Sequence, residues 1–204
     1  MMLNVTGRLI VIVGGGAVAA RKARGLLEAG ASKIRCVAPE FCEELPKEVE
    51  RVRERYQPSH LEGAALVFAA TDRSDVNDAV VRDAHTRNLL VNRADTDDED
   101  PGDFAVPAKL TRGDVTVTVS AGSPALSTLI RDRLQDLLDP RWQQMAAAMR
   151  ELRPLIKSAG TKVANRRQIF RELASQEALN VVADRGTAGL REWLLARHPE
   201  LIHA

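Results

Sequence analysis

The chain has 204 residues, 45% of them hydrophobic and 28% charged, with a formal net charge of +1. That length supports one good core, or one domain with a smaller appendage, and the near-neutral balance gives no electrostatic reason for a nucleic-acid partner. No apolar run approaches the roughly 20 residues that span a bilayer, so no membrane partner is expected.

The first apolar run, Leu9 to Val13, is too short for a secretory signal and no basic segment precedes it. Its continuity fits a strand buried on both faces, and it stops at three glycines. Ala19, Ala23, Leu26 and Leu27 then recur at helical spacing, and Gly30 stands where a helix C-terminal glycine would end it. Lys33 to Pro39 reads as a second strand, completing a βαβ unit of the usual size. Cys36 and Cys42 are the only cysteines and match no zinc or redox spacing, which points to inert thiols in a reduced, cytoplasmic setting.

Ala65 to Thr71 reads as another buried strand. Ser74 is the expected N-cap of a helix carrying Val76, Ala79, Val80 and Ala84, and Leu89 to Asn92 is a further strand. Strands alternating with helices predict an α/β fold, a Rossmann-like parallel sheet covered on both faces. From Asp114 the texture changes. Val115, Val117 and Val119 alternate with threonines, as in a strand with one face less buried. Ser123 and Pro124 signal a helix start, Leu126, Leu129, Ile130, Leu134, Leu137 and Leu138 form its apolar stripe, and Pro140 follows its end. The last third shows only helical patterns, at 142–156 and 166–175. The expected division is therefore 1–112, a dinucleotide-binding domain; 113–140, a strand plus helix; and 141–204, a small C-terminal helical domain.

Gly14, Gly16 and Ala19 occupy the G-x-G-x-x-G/A positions between a strand and a helix. There a tight turn lets backbone approach a pyrophosphate at the helix N-terminus. The acid that usually holds the adenosine ribose is not at the second strand's tip, where Val37 and Ala38 stand. Glu40, just past Pro39, is either that acid or a solvated loop glutamate. No basic 2′-phosphate site is evident, which favours NAD over NADP. Arg21 and Lys22 face an unfavourable helix dipole and read either as a solvated face or as contacts for an anion.

The stretch "NRADTDDEDPGDF", Asn92 to Phe104, holds six acids. As a calcium loop counted from Asp95 it fails, with Asp100 where glycine and Val106 where glutamate would be needed. The four histidines show no ligand pairing, so no resident metal is expected. His85 reads as a partly exposed surface residue.

The stretch "GGGAVAARKARGLLEAGASKIRCVAPE" resembles the opening of the precorrin-2 dehydrogenases, the amino-terminal module of siroheme synthase. "FAATDRSDVN", "VNRAD" and "FAVPAKLTRGDVTVTVSAGSPALSTLIRDRLQ" follow in that family's order, and "RRQIFRELA" resembles part of its helical region. The resemblance implies NAD-dependent oxidation of precorrin-2 to sirohydrochlorin, in some relatives followed by insertion of ferrous iron as a substrate. It implies a homodimer built through the segment after the dinucleotide domain. It also places the catalytic aspartate at Asp95 and cofactor contacts at Ala17, Val18, Pro39, Glu40, Thr71 and Asp72. Two departures stand out: "SAGSP" is about two residues shorter than the family's turn, and Ala121 replaces a serine of some relatives. The shorter turn weakens the inference of iron insertion.

Precorrin-2 carries many carboxylates, so most of Asp97 to Asp103 is expected to face solvent, with Arg93, Lys109 and Arg112 as local candidates to offset charge. The alternative reading is a nucleotide-sensing regulatory module using the same βαβ site without a catalytic acid.

Overall fold

The structure, a computed structural model, describes residues 3–94, 102–158 and 163–202. By internal contact the chain forms two units, Met1–Val106 and Pro107–Ala204.

The first unit is built on a parallel sheet of five strands, β1 (Leu9–Val13), β2 (Lys33–Val37), β3 (Glu50–Val52), β4 (Ala64–Ala69) and β5 (Leu90–Arg93), in the order β3-β2-β1-β4-β5. The alternation of β1 explains the two layers. Ile10 and Ile12 point to one face, where Ala19, Ala20 and Ala23 of α1 (Ala17–Glu28) cover them. Val11 and Val13 point to the other, against Val80 and Ala84 of α2 (Ser74–Thr86). Small alanines on α1 let the helix lie close to the sheet, in place of the bulk that a chain poor in aromatics lacks. The strand order reverses beside β1, so the C-terminal ends of β1 and β4 open a crevice where ligands bind in such sheets.

Both helices end alike. The Gly30 and Ala31 amides donate to Leu27 and Leu26 carbonyls, and the Asn88 and Leu89 amides to His85 and Ala84. Gly30 (φ +85°) and Asn88 (φ +54°) take the left-handed conformation this cap requires. At its start α2 differs from expectation by one residue. Arg73 is the N-cap and Ser74 the first helical residue, without a side-chain cap bond. Instead Arg73 pairs with Asp75 at 2.6 Å, two residues on. Strand β3, short and at the sheet edge, carries no sequence signal that periodicity would detect.

In the second unit β6 (Ala108–Arg112) and β7 (Val115–Val119) form an antiparallel hairpin. Four helices follow: α3 (Pro124–Leu137), α4 (Arg141–Ser158), α5 (Val163–Leu173) and α6 (Gln176–Arg197). Ser123 caps α3 as expected, its Oγ accepting from the Leu126 amide at 3.1 Å. Met145, Leu152 and Ile156 of α4 close on Ile169, Leu173, Leu179, Leu190 and Leu194 to form a core of its own. Helix α6 breaks at Gly186, whose φ of +64° is not helical. The α3 stripe is not core: Leu126, Leu129 and Leu137 are 47, 57 and 77% exposed.

At the end of α6, His198 lies between two carboxylates, with Nε2 2.8 Å from Glu172 and Nδ1 3.2 Å from Glu200. The His198 bond, with Gln168 beside it, holds the Glu172 carboxyl below the usual glutamate range. A carboxyl whose pKa is lowered on folding contributes stability above its unfolded pKa and loses it as pH falls through the folded value. The melting temperature should therefore drop as pH falls below about 4.3, the ordinary glutamate value. A His198→Ala variant followed by circular dichroism should melt lower at neutral pH and show a shallower acid slope.

Candidate dinucleotide site

Three chain ends converge at the crevice. The first is the glycine turn after β1. The Gly14 amide donates to the Val37 carbonyl at 2.9 Å, and a Cβ on Gly14 would lie 2.3 Å from the Ala70 carbonyl oxygen. Gly14 also has a φ of +140°, so only glycine lets the chain pass between the tips of β2 and β4. A Cβ on Gly15 would come within 2.0 Å of the Glu40 carbonyl oxygen, and the Cys42 amide donates to Gly15 at 2.8 Å. Gly16 is different, since a Cβ there meets nothing within 4 Å. It opens α1 without a side-chain cap bond or an acid in the first turn, and Ala17 beside it is exposed. Uncapped amides at a helix start, with free space before them, suit an anion.

The second end is the tip of β2, where Pro39 and Glu40 are both exposed at the mouth and Phe41 and Cys42 are half-buried. Among the described residues the Glu40 carboxylate has no hydrogen-bond or ion-pair partner. The third is the loop after β4, with Thr71 half-buried and Asp72 exposed. Sequence reasoning missed what holds it. Asn77, fully buried, accepts from the Thr71 amide at 3.2 Å and from its hydroxyl at 2.8 Å, and donates to its carbonyl at 3.0 Å. A buried asparagine on a helical face is a weak sequence signal, although "TDRSDVN" contained it. An Asn77→Ala variant would leave the Thr71 amide and carbonyl without these partners at a half-buried position. It should lose about 2–4 kcal/mol in urea denaturation, at roughly 1–3 kcal/mol for each unsatisfied group.

Asp95 lies outside the described residues. Just before it, the Ala94 amide donates to Ala69 at 3.0 Å, at the C-terminal end of β4. After the stretch, Gly102 bridges to Asn92, and Asp103 departs from the expected solvated turn. Its carboxylate accepts from the Val91 amide at 2.9 Å and lies 3.2 Å from His85 Nε2, so it fastens the returning chain to β5. His85 is half-exposed, as expected. Arg93 pairs with Asp78. Arg112, in the second unit, donates to the Gln135 and Leu138 carbonyls at 2.9 and 3.1 Å, which serves the end of α3. Lys109 lies on β6. Lys22 rests its ammonium 5.6 Å from the Phe68 ring centroid, and burial, then Arg21, lowers its pKa.

A family model described as "Putative NAD(P)-binding" matches residues 1–108. The chain belongs to this NAD(P)-binding family. The siroheme synthase of Photorhabdus laumondii is 36% identical over 90% of the chain and 40% of its own length. That of Chromobacterium violaceum is 35% identical over 94% of the chain and 42% of its own length. The chain thus spans about two fifths of the length of the curated relatives it matches. A solved structure titled "SirC, precorrin-2 dehydrogenase" superposes with a TM-score of 0.77 at 24% identity, covering 95% of this chain and 97% of that one. That likeness agrees with the Rossmann-like fold and its helical carboxy-terminal unit.

The NAD(P)-binding family's cofactor fits this turn. The Cβ positions of Gly14 and Gly15 are filled by backbone, whereas that of Gly16 faces open space at an uncapped helix start, where a pyrophosphate needs room. The fold also brings in Arg53, which no strand-by-strand reading of the sequence placed here. Val37 pairs with Val52, and the Ala38 amide donates to Val52 at 3.1 Å, so Arg53 emerges beside the tip of β2. Its guanidinium carbon lies 5.5 Å from the Phe41 ring centroid. Among the described residues no group of three or more metal-ligating side chains gathers, and no helix is long and apolar enough to cross a membrane.

Proposed function

We propose that this chain oxidises precorrin-2 to sirohydrochlorin with NAD as hydride acceptor, a step of siroheme biosynthesis. The observation that carries the reading is the glycine turn at the β1/β4 crevice, open only at Gly16, in a chain about 35% identical to siroheme synthases over nearly its whole length. In this reading Gly14 shapes the turn, and the amides from Gly16 through Ala17 and Val18 hold the pyrophosphate. Pro39 and Glu40 face the adenosine ribose, while Thr71 and Asp72 border the nicotinamide side. Asp95 takes the proton as hydride leaves, since dehydrogenation needs both acceptors. Incubating the purified chain with precorrin-2 and NAD should yield the absorbance of sirohydrochlorin. No product under conditions where NAD binds would overturn the proposal. A parallel arm with ferrous iron tests chelation, with iron as substrate.

The proposed assembly is a homodimer through residues 113–140. Leu126, Leu129 and Leu137 fall on one face of α3 and stay exposed, an apolar stripe that a monomer gains nothing by displaying. Sedimentation should find a dimer, and Leu129→Glu should shift it toward monomer while leaving the far-ultraviolet circular dichroism unchanged.

A further inference from the structure

Resting on the NAD(P) reading of the crevice, we infer that Arg53 and Glu40 together set its adenosine specificity, and that Arg53 lets the site accept a 2′-phosphate, so that NADP binds as well as NAD. In Rossmann folds the ribose of the adenosine lies at the C-terminal tip of the second strand, where an acid holds the 2′-hydroxyl or an arginine takes the 2′-phosphate. This chain brings one of each to that tip. Glu40 lies three residues past the strand end and is exposed, its carboxylate unengaged by any described residue. Arg53 arrives from the neighbouring strand. The parallel register of Val37 with Val52 sets its root, and its guanidinium carbon lies over the Phe41 ring, 5.5 Å from the centroid.

Its neighbour on β3 is committed elsewhere. Arg51 donates to the Leu45 carbonyl at 2.8 Å, and so serves the loop. Arg53 is exposed, and the Phe41 stack is its only interaction with a described residue, so its donors remain available. A guanidinium held near a ring by one contact keeps N–H groups for a phosphate, which it can recognise bidentately. Phe41 itself is held in place, because the next residue's amide, that of Cys42, is bonded to Gly15 of the phosphate turn. The Arg53–Phe41 pair is therefore one residue from a hydrogen bond to the glycine turn.

Titration calorimetry of the whole chain with NAD and with NADP tests this. The wild-type chain should bind NADP within about tenfold of NAD, and Arg53→Ala should weaken NADP about tenfold or more while moving NAD less than about threefold, the scale of one charge-assisted contact. Glu40→Gln should shift the preference the opposite way, tightening NADP by removing a like charge. Failure of the wild-type chain to bind NADP while NAD binds overturns the inference and leaves the cofactor reading standing, as does an equal loss of both in Arg53→Ala. Failure to bind either dinucleotide overturns both.

Discussion

A Gly14→Ala variant is expected to lose more than about 3 kcal/mol of stability, whereas Gly16→Val, two residues on, should fold normally and fail to bind NAD(P). The contrast follows from what a Cβ would meet. At Gly14 it would overlap the Ala70 carbonyl at 2.3 Å, on a backbone with φ of +140°. Relief would require the ends of β1 and β4 to separate, and with them the Ala70 amide bond to Val13. At Gly16 the backbone is already one an L-residue accepts (φ −87°), and the space ahead is empty. A valine there costs the fold only a change of helix cap, but it fills the room a pyrophosphate needs. Urea denaturation and calorimetry with NAD separate the two effects. If Gly16→Val binds NAD as the wild-type chain does, the pyrophosphate is not at this turn.

Strands β1, β2, β4 and β5 and helices α1 and α2 were legible because each carried a local code. Leu9 to Val13 is apolar throughout because both its faces are covered, and Gly30 and Pro39 punctuate the pattern. What escaped was non-local. Strand β3 is three residues long with no fully buried position, and it is a strand only because β2 offers an edge to pair with. Asn77 and Arg53 matter through groups 6 residues and 12 residues away in the chain, Thr71 and Phe41, and no spacing rule connects them. Asp103 is the instructive case. By composition it belongs to an acidic turn, yet its carboxylate completes the edge of β5, so like residues in one run divide into different roles. Conversely, the α3 stripe was correctly seen as apolar, but periodicity reports that a face is apolar and not what covers it.

Asp95→Ala should cut turnover of precorrin-2 by about a hundredfold or more while leaving NAD affinity intact, the range over which a positioned general base contributes. The described residues on either side support choosing this acid over its neighbours. Ala94, directly before it, is bonded to Ala69 at the end of β4, beside the crevice. The far end of the acidic stretch is tied back to β5 through Asp103 and the Val91 amide. Asp95 is thus one residue from a fixed point of the dinucleotide unit, whereas Asp97 to Asp100 are three to six residues along the chain from Ala94. Replacing Asp97 and Asp98 by asparagine should therefore leave turnover of precorrin-2 little changed, in contrast to Asp95→Ala. Asp95→Asn should lower turnover as Asp95→Ala does, since an amide cannot take the proton. Unchanged turnover in Asp95→Ala would remove this residue from the chemistry and leave the proton to another group at the crevice, of which Asp72 is the exposed carboxylate next in line.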